Sequence, residues 1–128
     1  MKNIVILGAG TAGTMMANHL HHELKNTDWS INIIDERTEH YYQPGYLFLP
    51  FDIYKPEDII KPISEFVPKG VNWINEKIDR VSPKENKVYL DNGDIISYKI
   101  LIVATGCNIA PEEINGMAGA EWQKSVFD

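Results

Sequence analysis

At 128 residues the chain is long enough for one domain that buries about two-thirds of the surface its unfolded form exposes, and 44% apolar residues is ordinary for a globular protein. Eighteen acidic against twelve basic residues give a net charge of −6 with no basic run, which argues against nucleic acid as a partner and against a polybasic membrane patch. Cys107 is the single cysteine, so an intramolecular disulfide or a dithiol centre within these residues is excluded.

Residues 3–7, Asn-Ile-Val-Ile-Leu, form a short β-branched apolar run, as expected of a strand buried on both faces. A signal peptide has no room before it, no segment approaches the roughly 18 apolar residues of a membrane span, and a cytoplasmic location is the default expectation. The run enters Gly8-Ala9-Gly10-Thr11-Ala12-Gly13, a G-x-G-x-x-G turn, and a helical pattern follows over 11–25 with Ala12, Met16, Leu20 and Leu24 spaced four apart. Strand, glycine turn and helix in succession are the setting in which that motif binds a dinucleotide. Gly8 permits the tight turn, Gly10 omits the β-carbon that would block a pyrophosphate, and Gly13 lets the helix pack close to the strand. Free amides at the helix N-terminus then face the phosphates. His19 and His22 have a metal-like spacing on this helix, but no third ligand is near in sequence, and no metal site is predicted.

A second strand over 30–34 ends at Asp35-Glu36, 22 residues beyond Gly13. An acid at that strand tip accepts hydrogen bonds from ribose hydroxyls and repels a 2′-phosphate, so the expected cofactor is FAD or NAD. Asp35, directly after the apolar run, is the first candidate and Glu36 the second. The stretch 37–54 departs from a simple dinucleotide domain: Pro44, Gly45 and Pro50 argue against a helix or central strand. Its dense aromatics serve either as core filler or as the lining of a flat ligand or apolar substrate.

One or two short helices are expected over 55–66, opened by Pro56 with Glu57-Asp58 behind it and restarted at Pro62. From Val71 to Tyr98 the pattern becomes antiparallel strands over 71–82, 87–90 and 95–98, with Asn92-Gly93 a strong hairpin signal. The run 99–103 reads as another buried strand, in one parallel sheet with the first, ending in Ala104-Thr105-Gly106. Residues 111–116 read as a loop and 121–128 as the start of a further element.

This series, with its I-V-A-T-G close, resembles the FAD-binding half of flavoproteins with two dinucleotide-binding domains, the pyridine nucleotide-disulfide oxidoreductase family. Within it, His40-Tyr41-Tyr42-Gln43-Pro44-Gly45 is similar to a segment of sulfide:quinone oxidoreductases. The likeness implies an α/β, Rossmann-like FAD-binding domain over 1–128, with a parallel sheet and a three-stranded antiparallel meander. It implies that Gly8, Gly10, Thr11, Ala12 and Gly13 cradle the FAD pyrophosphate and that Asp35, with Glu36 in reserve, holds the adenosine ribose. Ile78 would offer backbone groups to the adenine, Ala104, Thr105 and Gly106 would approach the cofactor, and Gln43 would lie near the flavin with Pro44 and Gly45.

Such enzymes pass electrons from a donor through flavin to an acceptor, here sulfide and a membrane quinone. The cysteine pair expected for sulfur chemistry does not occur in these residues. The NAD-like domain and the C-terminal part are also missing, so the expectation is a fragment, incomplete and inactive by itself, of a protein peripheral to the inner face of the membrane. Cys107 is either a thiol near the flavin or a small buried hydrophobe. The alternatives are a type II NADH dehydrogenase on the same scaffold, and a non-catalytic nucleotide-binding module whose uncovered apolar surface and sheet edge favour a homo-oligomer.

Overall fold

The structure, a computed structural model, describes residues 2–108 and 110–113. In chain order it contains β1 (Lys2–Leu7), α1 (Thr11–Glu23), β2 (Trp29–Ile34), β3 (Glu39–Tyr41), a 3-10 helix (Gln43–Phe51), α2 (Pro56–Ile59), β4 (Ile60–Pro62) and a 3-10 turn (Ile63–Glu65). There follow β5 (Asn72–Ile74), β6 (Ile78–Ser82), β7 (Lys87–Leu90), β8 (Ile95–Ser97), β9 (Ile100–Val103) and a last 3-10 turn (Pro111–Glu113). The elements expected beyond residue 113 lie outside the described residues.

Two compact units divide the described residues, one made of 2–40 with Pro62–Gly106, the other of Tyr41–Lys61 with the described residues after 106. The first is built on a parallel sheet of order β5-β2-β1-β9. The apolar run of β1 explains its central place: Ile4, Val5, Ile6 and Leu7 are all buried. Successive side chains of a strand point to opposite faces, and β1 feeds two separate cores. Ile4 and Ile6 join Ala17, Ile31, Ile33 and Ile63, with Leu20 and Leu24 of the α1 region packed against them. Val5 and Leu7 join Ile34, Val88 and Leu90, against Ile78, Val81 and Ile96 of the antiparallel sheet β6-β7-β8. Helix covers one face of the parallel sheet and meander the other, the α/β, Rossmann-like arrangement that the sequence implies.

The run read as one strand over 71–82 is divided between the two sheets. Asn72–Ile74 pairs in parallel with β2, whereas Ile78–Ser82 pairs antiparallel with β7. Between the two pieces lie three polar residues, Asn75-Glu76-Lys77. Asn92-Gly93 does form the expected hairpin: Gly93 takes φ +92 and its N–H donates to the Leu90 carbonyl at 3.0 Å.

Helix α1 ends two residues earlier than expected, and of the expected face Leu20 and Leu24 pack against the core while Ala12 and Met16 do not. Gly13, Thr14 and Ala17 are its buried residues, while Met15 and Met16 are exposed and so is Ala12. The backbone contact beneath explains this. A Cβ built on Gly13 would stand 1.9 Å from the Gly8 carbonyl oxygen, so helix and turn touch through their main chains and only small residues fit at that end of the helix. Leu20 and Leu24 reach the core farther along.

The second unit corrects the expectation that Pro44, Gly45 and Pro50 exclude a helix. Residues 43–51 form a nine-residue 3-10 helix with Pro44 in its first turn and Pro50 inside it. Pro44 sits where an N–H would have no partner, and Asp52 in the left-handed region (φ 56) stops the helix. Gly45 is buried against Ile59, whose Cγ2 lies 2.3 Å from where a Cβ would stand. Among the aromatics here, Tyr42, Phe48 and Phe51 are exposed. Around Pro62 the expected pair of helices is α2 and a single 3-10 turn, with β4 between them; β3 and β4 pair with each other.

Replacing Gly13 by alanine drives a methyl group into a backbone oxygen that cannot rotate away. Gly13→Ala is expected to cost about 3 kcal/mol of folding stability, read as a lower midpoint in urea denaturation.

Candidate functional site

The carboxyl ends of β1, β2 and β9 meet at one edge of the parallel sheet. After β1 the chain fills the β2 and β5 positions on one side, then returns to place β9 on the other. Ligands of open α/β sheets bind outside the strand ends at such a reversal of order. The ladder extends into the turns: the Gly8 N–H donates to the Ile34 carbonyl at 2.7 Å and the Ala104 N–H to the Leu7 carbonyl at 2.8 Å.

The three glycines of the turn are glycine for three reasons. Gly8 has φ +95, and a Cβ there would stand 2.4 Å from the Ala104 carbonyl oxygen, so backbone shape and the neighbouring strand both demand it. Gly13 is demanded by packing alone. Gly10 is demanded by neither: its φ of −71 and ψ of −166 suit any L-residue, and a Cβ there would meet nothing within 4 Å. The space a side chain would fill lies open over the start of α1. That helix has no side-chain cap and no acidic residue in its first turn, so among the described residues no side chain caps its leading amides at the positive end of its dipole. Thr11 and Ala12 are exposed beside this opening. A cradle that a Cβ at Gly10 would fill, beside amides with no side-chain cap, fits a diphosphate.

Asp35 is buried at the tip of β2, 6% exposed. Its Oδ2 accepts the Ala9 N–H at 2.7 Å, which ties the acid to the glycine turn. Oδ1 accepts the Arg37 N–H at 2.9 Å, and the Arg37 guanidinium donates to both oxygens, Nε to Oδ1 and Nη2 to Oδ2, each at 3.2 Å. Burial by itself pushes this carboxyl up; the Arg37 guanidinium bonds, the Ala9 and Arg37 amides and the arginine charge outweigh it and hold the group below its ordinary value. Glu36 points to solvent.

Other expected site residues are placed as follows. Ala104 is half-buried, while Thr105 and Gly106 are exposed at the end of β9; Gly106 has φ +70, and a Cβ there would meet nothing within 4 Å. Ile78 packs its side chain into the meander core, just before a register shift in the pairing of β6 with β7. Gln43 is exposed at the head of the 3-10 helix in the second unit. Cys107 is a free, exposed thiol and not the buried hydrophobe that was one of its two readings. His19 and His22 are exposed, and among the described residues no group of three or more His, Cys, Asp or Glu is placed to hold a metal.

Sequence reasoning missed two residues. Arg37 was read only as the start of a loop. Asn75, one residue past β5, donates from Nδ2 to the carbonyls of Asp35, Glu36 and Arg37 at 2.9, 3.0 and 3.3 Å, clamping the exit of β2. Its role was hidden because β5 had been assigned to the meander.

Fold and turn define a dinucleotide-binding domain of the open α/β class. The family model for pyridine nucleotide-disulphide oxidoreductases matches residues 2–127, and the chain belongs to that family of FAD-dependent oxidoreductases. It is 33% identical over 117 residues to the mitochondrial sulfide:quinone oxidoreductase of Dictyostelium discoideum, covering 91% of this chain and 26% of that protein. It is 30% identical over 123 residues to the type II NADH:quinone oxidoreductase of Staphylococcus haemolyticus, covering 95% of this chain and 30% of the relative. The crystal structure of the sulfide:quinone oxidoreductase from Aquifex aeolicus superimposes with a TM-score of 0.73 at 29% identity, covering 86% of this chain and 25% of that one. The chain thus spans between a quarter and a third of the length of these relatives.

A carboxyl held low by folding stabilises the protein fully above its unfolded value of 3.8, and that contribution is lost as the pH falls through the lower folded value. Asp35→Asn is expected to cost about 1–3 kcal/mol at pH 7, because the donors around it lose a charged acceptor. Denaturation across pH 2–7 reads the sign: the gap between native protein and variant narrows as the pH drops below 3.8.

Proposed function

We propose that this chain holds FAD for a flavoprotein oxidoreductase of the sulfide:quinone type. The observation that carries the flavin reading is the empty space at Gly10, beside uncapped helix amides and an acid bonded to the same turn. The amides following Gly10 bind the diphosphate, with Thr11, Ala12 and Gly13 as the first turn of the helix behind them. Asp35 orients the adenosine ribose, and Glu36 offers a second carboxylate at the rim. Ala104, Thr105 and Gly106 supply small, partly exposed backbone for close passage of the cofactor. The roles of Ile78 by the adenine and of Gln43 by the flavin rest on the family resemblance alone.

When bound, FAD accepts an electron pair from a donor and yields it to an acceptor. Sulfide as donor and quinone as acceptor are supported by the His40–Gly45 segment and by the Dictyostelium and Aquifex relatives. NADH as donor is the second reading, favoured by the Staphylococcus relative. Both give a quinone acceptor, and a membrane-surface location suits either. Among the described residues no helix is long and apolar enough to cross a membrane.

Gly10→Ala separates binding from folding. The open space and ordinary dihedrals predict unchanged or slightly raised stability, up to about 1 kcal/mol, while FAD affinity falls at least about tenfold because the methyl enters the diphosphate's place. Tryptophan quenching on FAD titration, alongside denaturation, measures both; equal FAD binding by variant and native protein overturns the assignment of the cradle. For the donor, quinone reduction by the full-length protein is measured with sulfide and with NADH, and turnover with NADH alone overturns the sulfide reading.

A further inference from the structure

An ionised carboxylate offers about four acceptor positions, two on each oxygen. At Asp35 all four are taken, and the donors divide into two kinds. The Ala9 and Arg37 amides, at 2.7 and 2.9 Å, belong to the main chain of the glycine turn and of the β2 exit. Asn75 pins that exit through the carbonyls of residues 35, 36 and 37. These two donors stay where they are. The other two are the guanidinium N–H groups of Arg37, longer at 3.2 Å and carried by a side chain that is 57% exposed. They can leave without any movement of backbone.

Two exchangeable donors on one buried carboxylate match the number of O–H donors on a vicinal diol. We propose that the Arg37 guanidinium is a stand-in for the adenosine ribose: it satisfies Asp35 in the ligand-free chain and gives up its two acceptor positions to the 2′- and 3′-hydroxyls. This rests on the dinucleotide reading above. The exchange keeps the hydrogen-bond count at Asp35 constant, so the buried acid is satisfied whether or not a nucleotide is present, which is what a group buried to this depth requires. It also means that the ribose hydroxyls displace bonds of equal number rather than fill an unoccupied acceptor. Arg37 thereby lowers the affinity gained from the diol, and it acts as a positioning residue.

The test compares ADP with 2′-deoxy-ADP by calorimetric titration of the native protein, Arg37→Met and Arg37→Lys. With the native protein a missing 2′-hydroxyl costs little, because the guanidinium retains its place. In Arg37→Met no stand-in remains, and preference for ADP over the deoxy analogue rises about three- to tenfold, the range of a partly exposed ion pair. Arg37→Lys, a point donor without the planar fork, gives an intermediate ratio and guards against a fold defect peculiar to the methionine. General loss of structure or of positive charge weakens both ligands alike and leaves the ratio unmoved. An unmoved ratio in variants that bind ADP therefore overturns the exchange alone, whereas failure of the native protein to bind ADP at all overturns the dinucleotide reading with it.

Discussion

The contact between the Gly13 main chain and the Gly8 carbonyl governs the rest of the molecule. With no side chain between them, α1 starts against the end of β1, its dipole aimed at the turn instead of past it. The inward face of α1 is small near that end and large farther on because of the same contact. Gly8 in turn presses on the Ala104 carbonyl, so turn, helix and β9 are fixed by backbone on backbone. That kind of packing has no rotamers to relax into, which suits a site that must hold its shape before a ligand comes.

Against this rigid frame Asp35 supplies the adjustable part. Its position is set from three sides, by the strand that carries it, by the Ala9 amide and by the Asn75 clamp, while its remaining bonds come from a long surface side chain. The upward push of burial on the carboxyl is outweighed by the Arg37 and Ala9 bonds, which hold it below its ordinary value beside the glycine turn. Main chain gives permanence and side chain gives exchange within a few ångströms.

What the residues disclosed beforehand was whatever is written locally. The glycine turn, the acid at residue 35, the Asn92-Gly93 hairpin and the parallel strand that ends at Val103 each carry their signal within a few positions, although that strand sits at the sheet edge, partly exposed, and not buried as expected. What they concealed depends on partners remote in the chain. The division of 71–82 between two sheets follows from pairing with β2, forty residues earlier for Asn72 and Asn32, and the clamp by Asn75 could not be seen until that pairing was known. Four-residue spacing of apolar side chains located Leu20 and Leu24 on the inward face of α1 but failed in its first turns, where a backbone contact decides. Proline as a helix breaker failed at Pro50, which lies inside the 3-10 helix.

The late arrival of β9 has a consequence for biosynthesis. Helix α1 and β2 can close on β1 as soon as the first third of the chain has left the ribosome, for those contacts are short in sequence. The other flank of the glycine turn comes from residues around 104, which pair with β1 across nearly a hundred positions, and closing a loop of that length is slow relative to local pairing. Until then the nascent polypeptide carries half a cradle, with one side of β1 bare. The two flanks of the turn are thus assembled at different times, the second only once the residues around 104 are available to pair.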